Sequence, residues 1–196
     1  GKGYPAIMTS DRHTRALDRV AEAVTKCGVS IADEDIAVCV QGDEPMMRPD
    51  MIDTVIKPLE QDPKLGASVL AMDIDDEEVF RNPDTVKIVH DLADNVLYTS
   101  RSPIPHCKPG AFSPALGAKR IYGILAFRWH RLRWFTNTPE SPLEIKEACD
   151  SNRLCDHGGG QRIASYPSIR SFSVDSVADR DKVEANMKAD PFWGRY

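Results

Sequence analysis

The run Ile36-Ala-Val-Cys-Val-Gln-Gly-Asp-Glu-Pro45 sends a short apolar stretch straight into two carboxylates, Asp43 and Glu44, flanked by glycine and proline. In open α/β sheets ligands bind beyond the carboxyl ends of the strands, and a strand over 36–40 would set both acids on that edge. Such an edge suits Mg2+, which takes one or two protein carboxylates and fills its other positions with water and substrate phosphate oxygens. Gly-Asp-Glu-Pro is also ordinary loop chemistry, so these residues by themselves fit a solvated turn equally well.

The elements that would carry this edge can be read from periodicity and punctuation. Ala16, Val20, Ala23, Val24 and Cys27 predict a helix over 14–27, stopped at Gly28. The unbroken apolar run 36–40 reads as a strand buried on both faces. Pro49 suits the first turn of a helix whose core face is Met51 or Ile52, Val55, Ile56 and Leu59, with Pro58 expected to kink or end it. Residues 67–72 read as a strand and 73–78 as a short helix or loop. Residues 86–90 and 96–100 flank a turn-rich segment and predict a β-hairpin, in which Lys87 reads as exposed polar punctuation. Four prolines and two glycines between 102 and 117 predict a long loop over the sheet. A strand over 121–127 precedes a helix over 130–137. A second helix over 143–154 is started by Ser141-Pro142 and ended by the glycines at 158–160. Short strands over 162–166 and 171–174 lead to a last helix over 177–188. Helices alternate with strands, so the class is α/β, and 196 residues suit one domain over 1–196.

Composition narrows the partners. A net charge of -5 with both signs interspersed argues against nucleic acid, which needs clustered positive charge, and favours a small molecule. No apolar run reaches the roughly 20 residues that span a bilayer, and no leader opens the chain, so no membrane is expected and the protein reads as soluble and cytoplasmic. The five cysteines include no Cys-x-x-Cys pair, and Cys149, Cys155 and His157 match no standard zinc spacing.

Taken in order, Gln41-Gly-Asp-Glu-Pro45, Asn82-Pro-Asp-Thr-Val-Lys87, Tyr98-Thr-Ser-Arg-Ser-Pro-Ile-Pro105, Ser141-Pro-Leu-Glu144 and Val174-Asp-Ser176 resemble the 3-deoxy-manno-octulosonate cytidylyltransferase family, also called CMP-Kdo synthetases. The resemblance runs from about residue 11 to the last helix. It implies a Rossmann-like, mixed and mostly parallel sheet flanked by helices, of the nucleotide-diphospho-sugar transferase type. A small protruding β-rich dimerisation subdomain is expected around 98–120 and 141–166. It also implies an enzyme that joins CTP to an acidic 3-deoxy sugar, Kdo or a close relative, with Mg2+, giving CMP-sugar and pyrophosphate for lipopolysaccharide or surface-polysaccharide synthesis.

On that resemblance Asp43 and Asp175 are the catalytic, metal-binding acids. Displacement at the α-phosphorus builds charge that a divalent ion neutralises. Asp175 alone would read as a helix N-terminal acid stabilised by the macrodipole. Gln41 would contact sugar or nucleotide, Arg101 would offer a planar fork to the sugar carboxylate, Glu144 would approach sugar hydroxyls, and Arg19, among the substrate-binding residues, matches the arginine ending the family's His-x-Ser-Gly-Thr-Asp/Glu-Arg segment. Read without the family, Arg101 is a surface ion pair, Glu144 a first-turn acid and Arg19 a solvated helix face. A homodimer is implied, formed through the hairpin and the 141–144 region.

Three departures qualify the pattern. The family's phosphate-cradling loop has no counterpart in these residues, so the isolated chain is expected to be poorly active or inactive. Residues 11–19 keep His13, Asp18 and Arg19 but lose the family's Ser-Gly-Thr, and Ala16 gives up access to positive φ. On the strand near 119–128 a family histidine gives way to Arg120 or Tyr122. A non-catalytic dimerising remnant that binds a sugar acid, and a CTP-dependent transferase for sialic-acid-like sugars or phosphonates, are the alternatives.

Overall fold

The computed structural model describes residues 3–108, 111–174 and 176–194. Among these residues the order is α1 (Ala16–Lys26), β1 (Ile36–Val40), α2 (Pro49–Gln61), β2 (Ala67–Asp73), α3 (Glu77–Arg81), β3 (Lys87–His90), β4 (Val96–Ser100), a 3-10 turn (Pro114–Leu116), β5 (Lys119–Arg128), α4 (Trp129–Asn137), α5 (Pro142–Glu147), α6 (Ser151–Asp156), β6 (Arg162–Tyr166) and α7 (Val177–Met187). The class is mixed α/β, as expected. None of the described helices is long and apolar enough to cross a membrane.

The sheet runs β4-β3-β5-β2-β6, with β1 also paired to β5. Strand β5 is the spine: β2 lies antiparallel along one side, and β1 and β3 share the other, at opposite ends. Only β2 and β6 pair in parallel, so the expectation of a mostly parallel sheet is corrected for the described strands. The reason is local. The β3–β4 connection is a tight hairpin, and β5 runs against all three strands it touches; β2 and β6, the parallel pair, are joined by the long, helix-bearing crossover that parallel pairing requires.

Alternation along β5 divides the core into two layers. Ile121, Leu125 and Phe127 join the cluster that holds Leu17, Cys39, Leu132, Phe135 and Leu154, whereas Tyr122, Ile124 and Ala126 pack with Met51, Val55 and Leu59 of α2. A smaller cluster of Ile74, Phe80, Cys107 and Ala118 sits beneath the long loop after β4. The apolar stripe of α1 keeps Ala16, Val20 and Val24 as read in the sequence and adds Leu17 and Ala21, whereas Cys27 is exposed. Gly28 does end this region in the left-handed conformation, φ 73°.

Several further expectations are corrected. Strand β1 alternates in burial and ends with Val40 exposed, because it borders β5 on one side only. Pro58 does not end α2; it lies one turn from the C-terminus, buried, and its carbonyl accepts the closing N–H of Asp62. The helix over 143–154 is two helices, broken where Ala148 takes φ 47°. Residues 171–174 form no strand. Residues 141–166 do not protrude as a subdomain: β6 joins the main sheet beside β2, and Leu154 lies in the main core.

Candidate active site

Beyond the end of β1 the chain turns sharply at residues 41–44. The Gln41 N–H donates to the Gly123 carbonyl at 2.9 Å, bending the loop across β5. Glycine is required at 123 because an added Cβ would stand 2.8 Å from Gln41 Oε1 and 3.0 Å from both Gln41 Cβ and Glu44 Cγ. The loop leaves Asp43 exposed, with no side-chain partner among the described residues.

A second segment reaches the same place from the far end of the chain. The Val174 N–H donates to the Asp43 carbonyl at 2.9 Å, and Ser173 Oγ donates to Glu44 Oε1 at 2.8 Å. The two stretches expected to hold a cation are therefore stitched together residue by residue. Asp175 itself lies outside the described residues.

Behind this junction, on the α2 side of the sheet, lies a polar cluster that joins Glu44 to Arg120 and Tyr122, the residues found where the family has a histidine. Burial pushes the Glu44 carboxyl up, although the Ser173 bond and the nearby Arg120 charge pull the other way. Glu44 Oε2 and the Tyr122 hydroxyl are buried without a hydrogen-bond partner of normal geometry. Burial, with the Glu44 charge beside it, also pushes the Tyr122 hydroxyl up. Arg120 stacks on the Tyr122 ring at 5.4 Å and donates from Nη2 to Ser171 Oγ at 3.0 Å; burial lowers its pKa.

On the opposite face, Cys39 marks where the α5–α6 region meets the loop. Its thiol is pushed up to about 11, chiefly by burial, with the charges of Asp150 and Asp43 adding to it. Asp150, unnoticed in the sequence, is thus near enough for its charge to act on the Cys39 thiol. Burial raises the Asp150 carboxyl, opposed by the Arg15 guanidinium, which bonds it directly. Arg15 also reaches Glu140 Oε1 at 2.6 Å and Glu144 Oε1 at 3.0 Å. Burial works against the Arg15 charge, and these acids outweigh it, leaving its pKa raised.

The other expected site residues turn inward. Glu144 is fully buried and forms a capping box with Ser141, and its oxygens take Arg153 Nε at 2.8 Å and Nη2 at 2.7 Å. Its carboxylate is turned inward, with Arg15 Nη1 at 3.0 Å as a second arginine partner. Arg101 donates to the carbonyls of Glu147 at 2.9 Å, Pro83 at 3.1 Å, Asp84 at 3.4 Å and Ala148 at 3.4 Å. Half of these bonds close the end of α5, where cations suit the helix dipole, and half tie down residues 83 and 84. Arg19 donates to Thr9 Oγ1 and the Ser10 carbonyl at 3.0 Å and to the His13 carbonyl at 2.8 Å, so it braces residues 9–13 rather than lying free on a helix face.

Lys87 is no exposed punctuation. It is fully buried, with Nζ bonded to the carbonyls of Asn82 at 2.7 Å and of Thr85 and Arg101 at 2.6 Å; burial and the Arg101 charge lower its pKa. Glu147 completes this layer. Burial opposes its charge, but the Tyr98 hydroxyl at 2.6 Å, the Arg101 N–H at 2.9 Å and Ser100 Oγ at 2.9 Å hold its carboxyl below the ordinary range.

The profile of the cytidylyltransferase family matches residues 2–159. A 3-deoxy-manno-octulosonate cytidylyltransferase of Syntrophotalea carbinolica is 34% identical over 96% of this chain and 75% of its own length. One from Syntrophus aciditrophicus is 38% identical over 90% of this chain and 70% of its own length. The chain belongs to the 3-deoxy-manno-octulosonate cytidylyltransferase family. A solved CMP:2-keto-3-deoxy-manno-octonic acid synthetase complexed with CTP superposes with a TM-score of 0.81 at 33% identity, covering 95% of this chain and 73% of that one. A putative glucose-1-phosphate thymidylyltransferase from Bacillus anthracis shares the fold, with a TM-score of 0.54 at 14% identity over 90% of this chain and 62% of that one. For a member of this cytidylyltransferase family, the junction of the 41–44 loop with residues 171–174 is the part of the surface where exposed acid and converging chain meet.

Proposed function

We propose that this chain transfers the cytidylyl group of CTP to an acidic 3-deoxy sugar of the Kdo type, releasing pyrophosphate. In the reaction the anomeric hydroxyl of the sugar forms a bond to the α-phosphorus of CTP, the bond to the β-phosphate oxygen breaks, and the hydroxyl proton is lost. The observation that carries this reading is the 2.9 Å bond from Val174 N–H to the Asp43 carbonyl, which brings two segments distant in sequence to one sheet edge.

The residues present fit Mg2+. Asp43 is an exposed carboxylate with no side-chain partner among the described residues, and a free carboxylate suits an ion that takes most of its ligands from water and phosphate. Asp43 and Asp175 would hold it, and when bound it neutralises charge growing on the phosphoryl oxygens. Gln41, bent over Gly123, faces sugar or nucleotide. Arg101, Arg19, Lys87 and Glu144 act one layer back, fixing the loops that line the site. The test is pyrophosphate release by the full chain with CTP and Kdo. Release well above an Asp43→Asn control is expected, and release no greater than that control contradicts the proposal.

We place a homodimer contact on the hairpin as part of the same reading. β4 is the outer strand of its side of the sheet, and Leu97 on β4 is 58% exposed, with Ile145 of α5 61% exposed. The β4 backbone edge is itself bonded to Gln161 and Asn152, so the contact rests on these exposed apolar side chains, which gain by burial against a partner. Leu97→Arg is expected to turn a dimer into a monomer by light scattering; an unchanged mass would place the contact elsewhere.

A further inference from the structure

Residues 171–174 have no regular secondary structure, so their position depends on individual bonds to the rest of the protein. Such bonds among the described residues include these: Ser171 Oγ accepts from Arg120, Ser173 Oγ donates to Glu44, and the Val174 N–H donates to the Asp43 carbonyl. Glu44 is the costly member. Its carboxyl is largely buried, one oxygen has only the Tyr122 hydroxyl beside it and no hydrogen bond of normal geometry, and an apolar side chain of similar size would be cheaper to bury there. The strand beneath also yields to it, because Gly123 leaves the space in which Glu44 Cγ and Gln41 lie. A buried acid that costs stability, held against a serine of a segment 129 residues away, earns its place by geometry.

We infer that Glu44 and Ser173 are positioning residues that set the distance between the Asp43 carboxylate and the chain entering residue 175. This rests on the reading of Asp43 and Asp175 as the cation site and deepens it. Glu44 touches neither substrate nor cation. It fixes the back of the loop whose front carries Asp43, while Ser173 fixes the segment that carries the second acid. Removing the hydroxyl of Ser173 loosens one segment against the other without deleting a ligand.

The experiment measures Mn2+ affinity of the full chain by electron paramagnetic resonance without nucleotide, together with hydrogen exchange at the Val174 amide. Ser173→Ala is expected to weaken Mn2+ binding roughly 10-fold or more, the size seen when a ligand's support is removed, and to speed exchange at Val174. Ser173→Thr, which keeps the hydroxyl, is expected to restore both, and its recovery separates lost positioning from a general folding defect. Glu44→Gln, whose amide oxygen still accepts from Ser173, is expected to fall between. Unchanged Mn2+ affinity in Ser173→Ala, with affinity lost in Asp43→Asn, overturns this inference and spares the cation site. Undiminished Mn2+ binding in Asp43→Asn overturns the cation site, and this inference with it.

Discussion

Glu144 is the sharpest place to separate a structural acid from a substrate-binding one. Its carboxylate is fully buried between Arg153, at 2.7 and 2.8 Å, and Arg15, at 3.0 Å. Glu144→Ala would leave Arg153 charged and buried. Breaking a buried pair on one side costs about 3–5 kcal/mol. The lower end is expected here, since Arg153 keeps the carbonyls of Phe135 at 3.1 Å and Thr138 at 3.2 Å, and Arg15 keeps Glu140 and Asp150. A loss of about 3 kcal/mol in a protein of this size lowers Tm by about 6–12 °C. With a urea slope of about 2 kcal/mol/M it moves the midpoint down by about 1.5 M. The assay is urea unfolding of the wild type, Glu144→Ala, Arg153→Met and the double variant. The double variant is expected to recover much of the loss, because no buried charge is then stranded. A Glu144→Ala midpoint equal to that of the wild type, with a raised KM for the sugar acid, would refute the structural assignment and return Glu144 to the substrate.

The remaining predictions address the loop, the surface and the core. Gly123→Ala drives its new Cβ to within 2.8–3.0 Å of Gln41 and Glu44 and is expected to cost about 1–3 kcal/mol and to depress pyrophosphate release; wild-type stability and turnover together would show that the loop does not lie across the strand. Glu22 is held at about 2 against an ordinary 4.5, by Lys26 first, then the Ser10 N–H and His13. A lowered carboxyl adds stability above pH 4.5 and loses it as pH falls towards 2, so the Tm gap between wild type and Glu22→Gln is expected to be full at pH 7 and to close across that window. A gap that persists at pH 2 would contradict the assignment. With its thiol raised to about 11 and buried, Cys39 is expected to resist iodoacetamide at pH 8 under native conditions while exposed Cys27 reacts; mass spectrometry showing equal labelling would contradict the packing of β1.

Elements governed by local periodicity were legible in the sequence. The turn-rich hairpin, the apolar spine of β5 and the Pro49 start of α2 needed only local pattern and punctuation. What failed was long-range. The direction of the sheet is decided by pairing partners, which no single segment encodes. At the break at Ala148, the carbonyls at the end of α5 are taken by Arg101, 46 and 47 residues away, a partner that local sequence does not reveal. Residues 171–174 alternate like a strand, but their backbone meets a loop where no ladder is available. At the site, Asp43 was readable because a short acid between Gly and Pro at a strand end has few structural duties. The burial of Lys87 and the inward turn of Arg101 were not, because both answer to backbone carbonyls, which carry no sequence signal. Asp150 could have been noticed only by asking which acid the unusual Arg15 would pair with.

The central claim is that the loop at 41–44 and the segment at 171–175 hold one divalent cation between them. Crystals of the full chain grown with CTP and Mn2+, and the anomalous difference map from them, test this most directly. A single strong peak bonded to the carboxylates of Asp43 and Asp175 is the expected result. Manganese bound with neither carboxylate, in a well-ordered complex with CTP, would contradict it.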